Sequence, residues 1–110
     1  MSEMASPDEQ FDRIANDLLS KGDTKRAKMF GMPCISVNGK MFAGLHKGGM
    51  NFKLGASDRE EALRIEGATL FDPGMGRPMK EWVSVPAAQS DRWRDLADQA
   101  YTYVADLTSK

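Results

Sequence analysis

Two turn dipeptides, Asn38-Gly39 and Gly48-Gly49, constrain the fold most strongly, because each lies between short runs in which apolar and polar residues alternate. Asn-Gly and Gly-Gly are preferred in two-residue β-hairpins, since these residues readily adopt the positive φ that such turns require. The pattern therefore predicts a meander of three antiparallel strands in the middle of the chain.

Two-residue hairpins also set the strand pairing and therefore the face on which each side chain lies. The expected pairs are Val37 with Lys40, Ile35 with Phe42, Lys47 with Met50, and Leu45 with Phe52. One face, expected to be the core, collects Cys34, Met41, Ala43, Leu45, Met50, Phe52 and Leu54. The opposite face, expected to be only partly dry, collects Ile35, Val37, Lys40, Phe42, Gly44, His46, Asn51 and Lys53.

Helical patterns lie on both sides of the meander. Ser6-Pro7-Asp8-Glu9 is typical of a helix start, because Ser and Glu three residues apart form a capping box and Pro suits the first helical position. Ser57-Asp58-Arg59-Glu60 predicts a short middle helix by the same pattern. Apolar residues from Trp93 to Leu107 repeat at the spacing of a long C-terminal helix.

One or two further strands are expected, at residues 69–71 and 80–85. The order of elements lacks a regular βαβ alternation, which disfavours a parallel, doubly wound sheet. The predicted fold is therefore α+β: an antiparallel sheet built on the three-stranded meander with one or two further strands, an N-terminal helix, a short middle helix and a long C-terminal helix.

Length and composition indicate one domain over residues 1–110, with residues 1–5 expected to be disordered. A single cysteine excludes an intramolecular disulfide, and one cysteine with one histidine cannot assemble a Cys/His zinc cluster within a monomer. The sequence shows neither a signal-peptide pattern nor an apolar stretch of membrane-spanning length. We expect a cytoplasmic domain that needs no metal or cofactor.

Charge is distributed unevenly along the chain, although the net charge is only −1. Residues 21–54 contain seven Lys or Arg and one Asp, a net charge of +6, whereas the segments on either side are acidic. This basic middle segment could contact phosphate groups, or it could be a solvated surface whose lysines prevent aggregation. The candidate anion or nucleic-acid site comprises Lys25, Arg26, Lys28, Lys40 and Lys53.

Several short motifs follow one another in a recognisable order: Met29-Phe30-Gly31, the hairpin at 38–43, Phe52-Lys53-Leu54, and a later block at 76–86. From about Phe11 to Leu107 the chain resembles the N-terminal domain of the bacterial TfoX/Sxy competence regulators. The resemblance implies a compact α+β domain of YjbR-like architecture that acts in regulation and has no assigned catalytic residues. Full-length competence regulators carry a second, helical domain, for which 110 residues leave no room, so a stand-alone version is expected.

Cys34 lies on the expected core face and His46 on the other face, which would keep a Cys/His dyad from forming. No other acid/base pair or metal set emerges, so we expect no enzymatic activity.

The leading hypothesis is a non-catalytic regulatory or interaction domain with a protein partner, and a homodimer through the same surface is an option. Candidate partner-surface residues are Phe42, His46 and Trp82, with Trp82 either packed by another element or exposed as an interface anchor. The alternative function is nucleic-acid or polyanion binding through the basic sheet face.

Overall fold

The computed structural model describes residues 6–29, 32–46, 49–71 and 81–108, and these form three α-helices, six strands and a short 3₁₀ segment. The α+β class predicted from the sequence is confirmed. In chain order the elements are α1 Pro7–Leu19, β1 Thr24–Met29, β2 Met32–Val37, β3 Lys40–His46, β4 Gly49–Lys53, α2 Ala56–Ala62, β5 Thr69–Leu70, β6 Trp82–Pro86, the 3₁₀ segment Ala87–Arg92 and α3 Trp93–Thr108.

The described strands form one antiparallel sheet in the order β1-β2-β3-β4-β6-β5. Helices α1 and α3 cover one face of this sheet, where α3 lies over β3 and β4 and α1 lies over β1 and β3. The space between helices and sheet holds the main core, here called the helix-facing core. Its largest fully buried side chains are Trp93, Phe11, Phe42, Phe52, Leu18, Ile35, Met50, Leu54, Val37, Val83, Val85 and Val104.

Helix α1 begins as its sequence predicts. The Ser6 hydroxyl accepts a hydrogen bond from the Glu9 amide at 3.2 Å, and the Glu9 carboxylate accepts one from the Ser6 amide at 3.1 Å. This capping box satisfies two amides that would otherwise lack partners at the helix start. The apolar stripe of Phe11, Ile14 and Leu18 then enters the helix-facing core.

The middle helix is also present, but its predicted capping box is not. Helix α2 begins one residue earlier than Ser57, with Gly55 at the N-cap position and no side chain accepting a hydrogen bond there. A Cβ atom at Gly55 would lie 3.0 Å from the ring of Tyr103 on α3. The start of α2 therefore packs closely against α3, with no room for a side chain at Gly55.

Strand β1 was not predicted. Three of its six residues, Lys25, Arg26 and Lys28, are cationic, and the strand has no clear apolar alternation. It becomes a strand by pairing with β2 at one end of the sheet, where charged residues are tolerated and discourage unwanted pairing. The meander therefore has four strands rather than three.

The first hairpin keeps the predicted pairing only next to its turn. Val37 pairs with Lys40 as expected, and Asn38 and Gly39 have the predicted positive φ values of 52° and 85°. Farther from the turn the register shifts, so that Ile35 pairs with Ala43. Phe42 is the extra residue of a β-bulge, and the predicted pairing of Ile35 with Phe42 is wrong.

The bulge changes which face the β2 side chains occupy, because a one-residue shift turns every side chain of a strand to the other side. Ile35 and Val37 join Ala43 and Leu45 in the helix-facing core, and Phe42 is buried there as well. The assignment of Ile35, Val37 and Phe42 to the outer face was therefore wrong. Cys34 and Met41 were placed in this core by prediction, but the register assigns them to the opposite face of the sheet.

The second hairpin is also shifted relative to the prediction. Leu45 pairs with Met50, and Ala43 pairs with Phe52, so the predicted pair of Leu45 with Phe52 is wrong. This shift amounts to two residues, which leaves the faces unchanged. Met50 and Phe52 accordingly remain in the helix-facing core, as predicted.

Some predictions concern residues outside the described ranges. These are the disorder expected at residues 1–5, the pair involving Lys47, and much of the later motif block at 76–86. In the described ranges, no helix combines the length and the apolar character needed to cross a membrane.

Candidate functional site

The face of the sheet turned away from the helices, here called the second face, carries most of the residues singled out from the sequence. Cross-strand pairing aligns small and polar residues in one row across β2, β3, β4, β6 and β5. The residues of this row are Cys34, Gly44, Asn51, Ser84 and Thr69. Next to this row Met32, Phe71 and Trp82 form a small apolar cluster against which Met41 packs.

Cys34 lies in this row with only 1% of its surface exposed. Its thiol donates a hydrogen bond to the Met32 carbonyl oxygen over a donor–acceptor distance of 3.4 Å. A buried thiol is poorly placed to act as a nucleophile, because reaction requires access and a stabilised thiolate. The burial of Cys34 was predicted correctly, although it occurs on the other side of the sheet.

His46 lies on the second face, as predicted, and is half-buried. Its ring meets the ring of Phe71 edge-on, with 5.3 Å between centroids. Cys34 and His46 therefore share a face, so the prediction that opposite faces separate them is wrong. The Cys34 thiol is inaccessible because it is buried, not because it lies on a different face from His46.

Asn51 is the most unusual polar side chain of the second face. It lies in the central strand β4, fully buried, between its cross-strand neighbours Gly44 and Ser84. Neither its amide nitrogen nor its amide oxygen has a hydrogen-bond partner among the residues that the structure describes. Buried polar groups are nearly always paired, because an unpaired amide loses its hydration without compensation.

Two of the three candidate partner-surface residues are not accessible. Phe42 is fully buried in the helix-facing core, where its ring meets Tyr101 edge-on at 5.7 Å. Trp82 is 6% exposed and packs with Phe71 on the second face. The alternative in which Trp82 is packed by another element is therefore correct, and neither ring is available for an interface anchor.

The five candidate anion-binding residues do not share one face. By register, Lys25 and Lys53 lie on the second face, whereas Arg26, Lys28 and Lys40 lie on the helix side of the sheet. The prediction that Lys40 and Lys53 share a face is wrong for the same reason as the Ile35 assignment. The bulge at Phe42 places the part of β3 before it, including Lys40, on the face opposite the one that simple alternation predicts.

Two of these cations are engaged within the domain. Arg26 donates to the Asp12 carboxylate at 3.0 Å and to the Asn16 side-chain oxygen at 3.3 Å, which joins β1 to α1. Lys53 lies 3.6 Å from the Glu81 carboxylate. Ion pairs of this kind offset much of the positive potential that a phosphate group would need.

Lys25, Lys28 and Lys40 are exposed, and none of them forms an ion pair with a carboxylate of the described residues. Lys25 and Lys28 belong to β1, which is the terminal strand of the sheet. This terminal strand with its two exposed lysines is here called the β1 edge.

The β1 edge also offers backbone hydrogen-bonding groups. The Asn38 amide donates to the Asp23 carbonyl at 3.0 Å, which identifies the pair at 23 and 38 as a hydrogen-bonded pair of the β1–β2 ladder. Because such pairs alternate along an antiparallel ladder, residues 25 and 27 bond to β2, whereas the amide and carbonyl groups of Arg26 and Lys28 point to the open side. Sequence reasoning missed this feature, although the cationic run is what edge strands commonly carry.

Helix α3 contributes two tyrosines whose acidic neighbours were not anticipated from the sequence. A hydrogen bond from the Tyr103 hydroxyl to Glu81 at 2.9 Å, together with partial desolvation, raises the pKa of Tyr103 above its ordinary 10.0. Desolvation and a hydrogen bond to Asp23 likewise raise the pKa of Tyr101 above 10.0. These contacts join α3 to the start of β6 and to the segment before β1.

A cleft between α2 and α3 is lined by the acidic side chains Asp58, Glu61 and Asp95, with Arg92 beside them. The described residues contain no group of three or more His, Cys, Asp or Glu side chains arranged to hold a metal ion. Asp58 and Asp95 lie in the first turns of α2 and α3, where a carboxylate interacts favourably with the helix dipole.

Comparison with known proteins gave one match. The family model of the TfoX N-terminal domain matches residues 16–104, from the last turn of α1 to the last turns of α3. This span includes the whole described sheet, both faces and the β1 edge. Neither the search of curated proteins nor the search of solved structures found a match.

Proposed function

Because the chain belongs to the TfoX N-terminal domain family, we propose that it is a non-catalytic regulatory domain that acts by binding a protein partner. The family supports a regulator-like domain, and competence or transcription control is the finer role that the resemblance suggests. The proposal includes a cytoplasmic location.

One observation carries the binding part of the proposal: the β1 edge is exposed, and its two lysines have no carboxylate partner in the described part of the chain. Exposed strand edges are ready sites for pairing with another chain. The burial of Cys34 supports the non-catalytic part, because the strongest potential nucleophile of the chain donates a hydrogen bond to a backbone carbonyl inside the fold.

The test is a capture experiment with a matched control. The immobilised chain and its Lys25→Glu/Lys28→Glu variant are exposed to native lysate, proteins enriched on the parent chain are identified, and each is purified for a binary affinity measurement. A partner that binds the parent chain directly supports the proposal. Absence of any directly binding protein would contradict it, as would a substrate turnover that Cys34→Ser abolishes.

Nucleic-acid or polyanion binding is the second candidate function, favoured by the exposure of Lys25, Lys28 and Lys40. Phosphate contacts would make the affinity for an oligonucleotide fall steeply with salt. The distribution of the cations over both faces, and the ion pairs of Arg26 and Lys53, favour the protein partner instead. An oligonucleotide affinity that falls with salt and is weakened by Lys40→Glu would reverse this preference.

A further inference from the structure

Building on the proposed function, we propose that the β1 edge binds an acidic, extended segment of the partner as a seventh strand, with acidic side chains three residues apart. The inference concerns the mode of binding and the chemistry of the partner, and it follows from the backbone and side-chain arrangement of β1.

The backbone provides the first step. The amide and carbonyl groups of Arg26 and Lys28 point away from β2, and the strand order places no described strand beyond β1. An incoming strand would exchange hydrogen bonds with these two residues at the two-residue repeat of an antiparallel or parallel ladder. Both residues are exposed, and no described strand occupies this side of β1.

Side chains provide the second step. Lys25 lies on the second face and Lys28 on the helix side, and they are three residues apart. Cross-strand neighbours in a ladder share a face, so a bound strand would place one residue beside each lysine, also three apart and on opposite faces. A carboxylate at each of these positions would complement the unpaired ammonium groups.

Charge also argues against a second copy of this chain as the occupant. Antiparallel pairing of two β1 edges would bring Lys25, Arg26 and Lys28 of both copies together. Like charges at adjacent positions of neighbouring strands are destabilising. The same cations that prevent self-association therefore select an acidic strand.

The experiment uses the full chain and a synthetic probe, the capped peptide Thr-Val-Glu-Thr-Val-Glu-Thr, in which the glutamates are three residues apart. Peptide affinity is measured by fluorescence anisotropy up to millimolar peptide, and amide hydrogen exchange of the protein is followed by NMR. We expect saturable binding, with exchange at Arg26 and Lys28 slowed about tenfold or more at saturation as ladder hydrogen bonds form.

Matched controls separate backbone pairing from charge attraction. Lys25→Glu/Lys28→Glu should weaken binding by about tenfold or more. The control Lys40→Glu/Arg64→Glu has the same net charge and changes two exposed residues outside β1, with Arg64 just after α2, so it should leave binding within about twofold. A peptide N-methylated at its second valine, whose amide would face the β1 edge in either strand direction, keeps its charge but loses a donor, and it should also bind about tenfold more weakly.

Several results would overturn the inference: no binding, unprotected amides at Arg26 and Lys28 at saturation, or equal affinity for the N-methylated peptide. The inference would also be overturned if the β1 edge bound an oligonucleotide or a second copy of this chain but did not bind the peptide. If a captured partner binds directly but leaves the two amides unprotected, the edge inference fails while the proposed function stands.

Discussion

Replacing Asn51 with valine tests how much the burial of its side-chain amide in the second face costs the folded protein. Asn51 is fully buried in a central strand, and neither polar atom of its amide has a hydrogen-bond partner within the described ranges. Valine fills most of the same space, favours the strand conformation and carries no group that needs hydration. We therefore expect Asn51→Val to stabilise the folded protein.

The size of the effect follows from the cost of the unpaired amide. Burying such a group without a hydrogen bond costs about 1–3 kcal/mol on the scale of protein mutations. Loss of some packing contacts with the shorter side chain offsets part of this gain. The net increase in the free energy of unfolding should be about 1–2 kcal/mol, which raises the melting temperature by about 4–8 °C for a domain of this length.

Urea unfolding followed by circular dichroism measures the change directly. The matched control is Ser84→Val, which alters the next residue of the same row, half-buried and not an unpaired buried group, and should shift stability by no more than about 0.5 kcal/mol. A loss of stability in Asn51→Val would refute the reasoning, because it would mean that the amide has a favourable partner in the folded protein.

Three further predictions concern the second face and helix α3. Gly44→Ala should lower the free energy of unfolding by about 1–3 kcal/mol, because the new Cβ would lie 2.9 Å from the Cys34 sulfur. Adding Cys34→Ala should recover part of this loss. If urea unfolding shows that the effects of the two substitutions simply add, the contact is contradicted. The native Cys34 thiol should react with a thiol reagent far more slowly than the unfolded one, and equal rates would show an open site. Tyr101 and Tyr103, the chain's two tyrosines, should both ionise above 10.0 in a tyrosinate absorbance titration. Since their folded-state pKa values are raised, the stability that they contribute is present below pH 10.0 and lost as pH rises through those values, and Glu81→Gln should bring the Tyr103 titration closer to 10.0.

The accessible surface was the part of the candidate site hardest to read from the sequence. Phe42 and Trp82 look like interface anchors in a linear reading, yet both are buried by neighbours that are distant in sequence. Strand β1 was not predicted because its cationic residues leave no clear alternation of apolar and polar side chains. Its lysines were recognised as a group, but their division between two faces depends on the register.

The sequence carried one signal of the bulge that was not used. Gly44 lies inside β3, and glycine within a strand often marks a bulge or the close approach of another group. Both apply here, because the bulge at Phe42 is two residues away and the Cys34 sulfur occupies the space that a side chain would fill. Without the partner strand, however, the pattern does not say where the extra residue falls.

The sequence by itself determined the features that depend on neighbouring residues. The turn at Asn38-Gly39 requires positive φ, the capping box of Ser6 and Glu9 starts α1, and the apolar spacing after Trp93 forms α3. Each of these is governed by interactions within a few positions of the chain. The α+β class and the family follow from their order.

Tertiary structure alone decided which way the strands face and which groups remain accessible. One extra residue at Phe42 turns Cys34 and Ile35 to the faces opposite those that alternation predicts. Strand β1 exists because β2 pairs with it, and its outward backbone groups are defined by that pairing. Alternation along a single strand does not show where a bulge residue is inserted. Only the pairing between strands therefore decides which face each side chain occupies.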